Sequence, residues 1–208
     1  MASGTVKNII FDLGGVLVDI DPDRTAKAFA VLSKTNAVDI MELHKSQNFF
    51  VDYEKGLIDD MTFRNNIRQF LDKDLPDVDI DNAWTAMLLD FPPTKIEMLE
   101  SARRNYRTYL LSNTNNIHRI KFEKLFRNAA QSDFYDFFEN VYYSFEVRMR
   151  KPEKEIFLKV LEENNLIPQE TLLIDDSLPN IEMASSLAMQ TRHVQINQET
   201  INIEDDGR

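Results

Sequence analysis

The sequence predicts an α/β fold, a Rossmann-like doubly wound parallel sheet with an inserted all-helical domain. Three observations predict it. Short apolar, β-branched runs alternate with stretches of helical spacing, the pattern of strands covered on both faces. Polar groups close those runs, at Asp12, at Ser112-Asn113 and at Asp175-Asp176. Between the first run and the second, from Pro22 to Phe91, the periodicity is helical and no strand pattern interrupts it. A length of 208 residues suits one core plus such an insertion.

Taken in order, Val6-Lys7-Asn8-Ile9-Ile10-Phe11 reads as a buried strand that stops at Asp12 and turns sharply at Gly14-Gly15. Val16-Leu17-Val18 reads as a short extended continuation. Helical spacing then holds at Ala26, Phe29, Ala30 and Leu32, at Phe63, Ile67, Phe70 and Leu71, and at Trp84, Met87 and Leu88. Breaks fall near Gly56 and at Leu75-Pro76-Asp77. Pro92-Pro93 ends the insertion and starts a helix with Ile96, Leu99 and Ala102 on its face. A second strand, Thr108–Leu111, ends at Ser112-Asn113, and a helix follows through Ile117, Ile120 and Phe126. Val141–Tyr143 is a third strand, and Pro152 begins a helix with Ile156, Phe157, Val160 and Leu161. Thr171–Ile174 is the fourth strand, and Ile181, Ala184 and Leu187 mark the helix behind it. Thr191–Ile196 is the last, and the polar tail from Glu199 is expected to fray. The domain reading is a core of residues 1–18 plus 92–208 and a helical domain of 19–91.

Composition removes several functions. A net charge of −11 opposes nucleic acid and anionic membrane surfaces alike. The absence of cysteine excludes disulfides, thiolate zinc sites and cysteine nucleophiles. No apolar run approaches the roughly 18–20 residues of a membrane helix. The early apolar stretch contains Asp12 and follows no basic segment, so no signal peptide is read, and a soluble cytoplasmic protein is expected. The five glycines form neither a GxGxxG fingerprint nor a P-loop, the three histidines form no HExxH pair, and no GxSxG elbow occurs. Carboxylates remain to carry the chemistry.

In an open parallel sheet, ligands bind beyond the carboxyl ends of the strands. Four separate segments bring Asp12, Ser112-Asn113, Lys151 and Asp175-Asp176 to that edge. Clustered carboxylates repel unless a cation or proton is shared. Asp12, Asp175 and Asp176 with a backbone carbonyl would make a hard, all-oxygen site suited to Mg²⁺. Lys151, read as standing at a helix N-terminus, can bind phosphate oxygens, and the Ser112 hydroxyl can donate to the same anion. Together they describe phosphoryl transfer through a covalent aspartyl phosphate.

These residues also carry a resemblance. Phe11-Asp12-Leu13-Gly14-Gly15-Val16-Leu17, Leu111-Ser112-Asn113-Thr114-Asn115, Arg150-Lys151-Pro152 and Ile174-Asp175-Asp176-Ser177 resemble, in order, the four motifs of the haloacid dehalogenase superfamily. The likeness spans nearly the whole chain, and the helical stretch stands where that superfamily has its cap. The branch that it most resembles is that of α-D-glucose-1-phosphate phosphatases, with the Asp-Leu-Gly opening and the Ser-Asn-Thr-Asn run. The resemblance implies a Mg²⁺-dependent phosphatase of a small phosphorylated metabolite. In that reading Asp12 is the nucleophile, and Asp12, the Gly14 carbonyl and Asp176 hold the metal. Asp175 ligates beside them or braces the loop, while Ser112, Asn113 and Lys151 bind phosphate.

Two departures qualify this. The superfamily's phosphatases usually have an aspartate, the general acid and base, where this chain has Gly14. Such help is worth ~10²–10⁴ in rate, so a leaving oxygen that departs unprotonated suffers least, and a sugar 1-phosphate is favoured over a 6-phosphate. Asp19, Asp21 or Glu54 could stand in for the missing acid. The second departure is Arg148, where the family pattern often has glycine. Gly14 also keeps two alternatives open: a non-catalytic protein that binds phosphate or a protein partner, and a metal-free dehalogenase whose aspartate attacks carbon. Bland roles are assigned to the rest: Arg150 solvated, His118 on a helix surface, Trp84, Phe49 and Phe50 in the helical core, and Glu42, Asp59 and Asp60 on solvated faces.

Overall fold

The computed structural model describes residues 5–33 and 40–203. Five strands form one sheet: β1 (Asn8–Phe11), β2 (Arg107–Ser112), β3 (Asn140–Tyr143), β4 (Thr171–Asp175) and β5 (Gln190–His193), in the order β3-β2-β1-β4-β5. Every pairing is parallel, so each crossover must run over a face of the sheet. Central β1 is flanked by β2 and β4, with Phe11 opposite Leu110 and Ile174. That register brings Asp12, Ser112 and Asp175 out at one edge.

The run Asn8–Phe11 is apolar without alternation because both faces are covered. Ile9 and Phe11 pack on one side with α6 (Pro93–Asn105) and α7 (Asn116–Ala130), through Leu99, Ala102, Phe122 and Phe126. Ile10 packs on the other with α9 (Lys154–Glu163) and α10 (Leu178–Ser186), through Ile156, Phe157, Val160, Ile181 and Ala184. Between β1 and α6 lie α1 (Pro22–Leu32), α2 (Ile40–Ser46), α3 (Phe49–Glu54), α4 (Asp60–Arg68) and α5 (Asp77–Thr85). They bury an aromatic core of their own around Phe29, Phe50, Tyr53, Phe63 and Trp84, which Ile117 of α7 joins. Asp21 caps α1 and Asp59 caps α4, each accepting from a backbone N–H in the first turn. No described helix is long and apolar enough to cross a membrane.

Several elements differ from the sequence pattern, each for a local reason. Val16-Leu17-Val18 is not extended: Leu17 and Val18 donate back to the Leu13 carbonyl and Gly15 donates to Val18, closing a compact turn. The segments entering and leaving the helices pair with each other, with Asp19 donating to Asp90, Leu89 to Asp19 and Asp21 to Met87, a ribbon too short to show a period of two. A short helix, α8 (Ser144–Val147), follows β3, and α9 starts at Lys154 rather than Pro152. The last strand spans Gln190–His193, ending three residues before the expected Ile196. The tail does not fray where it is described, because Ile201 and Ile203 are buried in the core beside β1. The residues after 203 lie outside the described residues.

Candidate active site

Asp12 follows β1 directly, fixed by donation from its backbone N–H to the Ile174 carbonyl. Its Oδ1 accepts from the Lys151 amine at 2.8 Å, and the same amine donates to Asp175 Oδ2 at 2.6 Å. Lys151 is 1% exposed and Asp175 fully buried, so this is an interior charge network. The lysine reaches it from a loop clamped by Asn113, whose side-chain amide donates to the Lys151 carbonyl and whose Oδ1 accepts from the Lys151 N–H, both at 2.8 Å. The Lys151–Pro152 peptide is cis. Lys151 therefore stands short of the helix start, between carboxylates, and the Asn113 side chain is engaged in holding it.

Asp175 is equally committed. Its Oδ1 accepts from the Ser177 N–H and from Asn180, at 2.9 Å each, and its Oδ2 from Lys151 and Asn180. Asp176 is half-buried beside it, and one carboxylate oxygen from each of Asp12, Asp175 and Asp176 lies within 4.8 Å of the others. Gly15 makes this approach possible. At φ +76°, a Cβ there would stand 2.8 Å from Asp176 Oδ2, so only a bare backbone passes this close. Gly14 has ordinary φ, and a Cβ on it would meet only Ile20 at 3.6 Å.

The electrostatics follow from three carboxylates sharing one ammonium. Burial, with Asp175 and Asp176 adding to it, pushes Asp12 up to about 7 against the pull of Lys151. Burial and Asp175 likewise raise Asp176. Burial alone would lower Lys151, but Asp12 and Asp175 outweigh it and hold the amine charged. The cluster thus lacks positive charge, and its hard oxygen donors fit a divalent cation such as Mg²⁺.

Asp12, Gly14, Ser112, Asn113, Lys151 and Asp176 all line one cavity of about 450 Å³. Its wall toward the helices carries Val18, Ile20, Met87 and Leu88 with Glu54, Arg150 and His118. Asp19 is paired with buried Lys95 at 2.5 Å and Asp21 caps α1, so neither is among the lining residues. Three bland assignments change here. His118 is buried, stacks on Trp84, shares a 3.0 Å hydrogen bond with the Trp84 carbonyl, and is lowered to about 4 by burial, hence neutral. Arg150 pairs with Glu54 at 3.0 Å instead of being freely solvated. Asp60 accepts from the Tyr53 hydroxyl and from Asn116, tying α4 to α7. Asn180 was not legible as a site residue; its signal is a lone amide in the first turn after the paired aspartates.

This fold and site define a class of hydrolase. A model of the haloacid dehalogenase-like hydrolases matches residues 6–187, and the chain belongs to that family. Its relatives include the D-ribitol-5-phosphate phosphatase of Bacteroides thetaiotaomicron, 29% identical over 186 residues, which are 89% of this chain and 90% of that one. The glyceraldehyde 3-phosphate phosphatase of Pyrococcus furiosus is 27% identical over 202 residues, covering 89% of this chain and 79% of its own. A crystal structure of a haloacid dehalogenase family enzyme from B. thetaiotaomicron, a magnesium complex, superimposes with a TM-score of 0.87 at 38% identity, over 94% of this chain and 96% of that one. An aspartate-to-alanine mutant of that enzyme was crystallised with magnesium and inorganic phosphate.

Proposed function

We propose that the protein is a Mg²⁺-dependent phosphatase of a small phosphorylated sugar or polyol, working through an aspartyl phosphate on Asp12. The observation that carries it is the buried Lys151 amine bridging Asp12 and Asp175 at 2.8 and 2.6 Å, beside Asp176. Residues 19–91 act as a cap over a core of 1–18 plus 92–208. The substrate phosphate enters between them and meets Lys151 and the Ser112 hydroxyl. An Asp12 carboxylate oxygen attacks phosphorus in line with the leaving oxygen, so one P–O bond forms as the other breaks. Water then cleaves the acyl phosphate, releasing inorganic phosphate and restoring Asp12. Lys151 neutralises charge on the transferring group, and Asn113 keeps the lysine in place. Magnesium, held by Asp12, Asp176 and the Gly14 carbonyl, would supply further charge neutralisation when bound. Asp175, with both oxygens engaged, braces the lysine.

The empty side-chain position at Gly14 supports a leaving oxygen of low basicity, so a sugar 1-phosphate is the finer reading. The names of the two phosphatase relatives favour a second, an ester on the terminal carbon of a short polyol or aldehyde. Phosphate release over a panel of 1-phosphates and terminal phosphates, with and without Mg²⁺, separates the readings. Asp12→Asn is expected to abolish turnover while melting as the wild type does; equal rates for the two proteins would refute the nucleophile. Faster terminal esters would refute the 1-phosphate preference. Chloride release from a haloacid that survives chelation would restore the dehalogenase reading.

A further inference from the structure

We propose that Glu54 and Arg150 form the subsite for the leaving group and recognise the hydroxyls of a polyhydroxylated, otherwise uncharged carbon chain. This rests on the phosphatase reading and names which part of the substrate the chain selects. Glu54 ends α3, in the helical insertion, and Arg150 immediately precedes Lys151; the two side chains meet at the wall of the cavity that holds Asp12. Away from the cluster of Asp12, Lys151 and Asp176, they are the charged side chains among the described residues that line this cavity. His118 also lines it, but its Nε2 is engaged with the Trp84 carbonyl.

The pair is oddly incomplete. Arg150 Nη2 stands 3.0 Å from Glu54 Oε2, yet the contact is misaligned, and neither Glu54 Oε2 nor Arg150 Nε makes a hydrogen bond. Both atoms are shielded from solvent, although the side chains that bear them remain 20% and 29% exposed. Buried donors and acceptors are ordinarily satisfied, and an unsatisfied pair marks a place where a partner belongs. A carboxylate accepts and a guanidinium donates, while a hydroxyl does both at once. A small rotation of either side chain would let one substrate hydroxyl donate to Glu54 and accept from Arg150. A second anionic group would meet the carboxylate, and an apolar chain would leave both groups without partners. Val18, Ile20, Met87 and Leu88 supply the apolar wall against which the carbon chain lies.

The test compares D-ribitol 5-phosphate with pentyl phosphate, which has the same chain length and no hydroxyls. The readouts are kcat/KM with Mg²⁺, and affinity by calorimetry in an Asp12→Asn background, where turnover is removed. Glu54→Ala and Arg150→Ala are expected to lower the ribitol-to-pentyl ratio roughly 10- to 100-fold in both readouts, the scale of one or two hydrogen bonds to charged groups. Glu54→Gln, which keeps an acceptor and the side-chain volume, should restore part of it and serves if the alanine variants do not fold. An unchanged ratio, with both substrates losing kcat alike, would overturn the proposal and make Glu54 a proton donor. An unchanged ratio with both affinities falling alike would overturn it in favour of a phosphate contact by Arg150. If the wild type releases phosphate from neither compound nor from any ester of the wider panel, the phosphatase reading fails, and the calorimetric ratio still decides the subsite.

Discussion

Replacing Gly15 by alanine should damage the loop beside Asp176 more than the core. Gly15 sits at φ +76°, where a Cβ costs about 1–2 kcal/mol. The added methyl would stand 2.8 Å from Asp176 Oδ2 and 2.9 Å from Ile196 Cγ1, so both must give way. Such overpacking costs about 1–3 kcal/mol, and the stiffer unfolded chain returns about 0.4–1 kcal/mol. The net loss is roughly 1–5 kcal/mol, and at about 2–4 °C per kcal/mol for a chain of this size the melting temperature should fall by several degrees. Displacing the Asp176 carboxylate should also weaken Mg²⁺ binding by about 10- to 100-fold, the usual effect of disturbing a ligand's support. Differential scanning calorimetry reads the first quantity and isothermal titration with MgCl₂ the second. A melting temperature and a Mg²⁺ affinity both equal to wild type would refute the argument that the bare backbone at Gly15 is what admits Asp176.

Other outcomes follow from the same geometry. Because Asp12 rises from an ordinary 3.8 to about 7 and Asp176 also rises, the folded protein without metal binds more protons than the unfolded chain between those values. Metal-free stability should therefore be greatest below pH 4 as far as these groups decide it, and decline up to about pH 7, while the thermal shift produced by Mg²⁺ should grow over the same interval; a Mg²⁺ shift equal at pH 5 and pH 7.5 would contradict this. Arg148 is exposed and left-handed at φ 57°, which accounts for the glycine that the family pattern often has there. Arg148→Gly should raise stability by up to about 1 kcal/mol, read as a melting temperature higher by a few degrees, and a drop would show that its side chain contributes more than the strain removes. Gly14→Asp has room, since its Cβ meets only Ile20 at 3.6 Å, and should speed terminal phosphate esters at least ~10-fold relative to 1-phosphates by providing an acid. An unchanged rate ratio would mean that leaving-group protonation does not limit turnover.

Much of this was legible because the sheet is parallel and covered on both faces. Strands such as Ile9–Phe11 and Leu172–Ile174 must then be continuous apolar runs, and the polar residue ending each marks the functional edge. The four motif segments converge as their positions in the chain imply. What the sequence hid depends on contacts between distant segments. His118 falls on a helix whose period does not reveal that Trp84 of α5 will cover it. The pairing of Arg150 with Glu54 joins residues on different layers, and nothing local announces it. The Asn113 amide, adjacent to Ser112 in the motif, turns out to be occupied by the Lys151 backbone, which only the folded loop can show. Ile201 and Ile203 are isolated apolar residues in a polar tail, too few to show any period.

The segment after β5 reaches back to the first loop of the chain. Asn197 donates its backbone N–H to the Gly15 carbonyl at 2.7 Å, and its side chain both accepts from and donates to the Ile20 backbone, 177 residues away. The turn that carries Gly14 and Gly15 is thus latched by residues that the ribosome makes long after it. Without Asn197 the turn loses three hydrogen bonds, so the backbone around Gly14 and Gly15 should be held less firmly than the strand that precedes it. Proteolytic trimming ahead of Asn197 would unlatch that loop and would also strip Ile201 and Ile203 from the core beside β1.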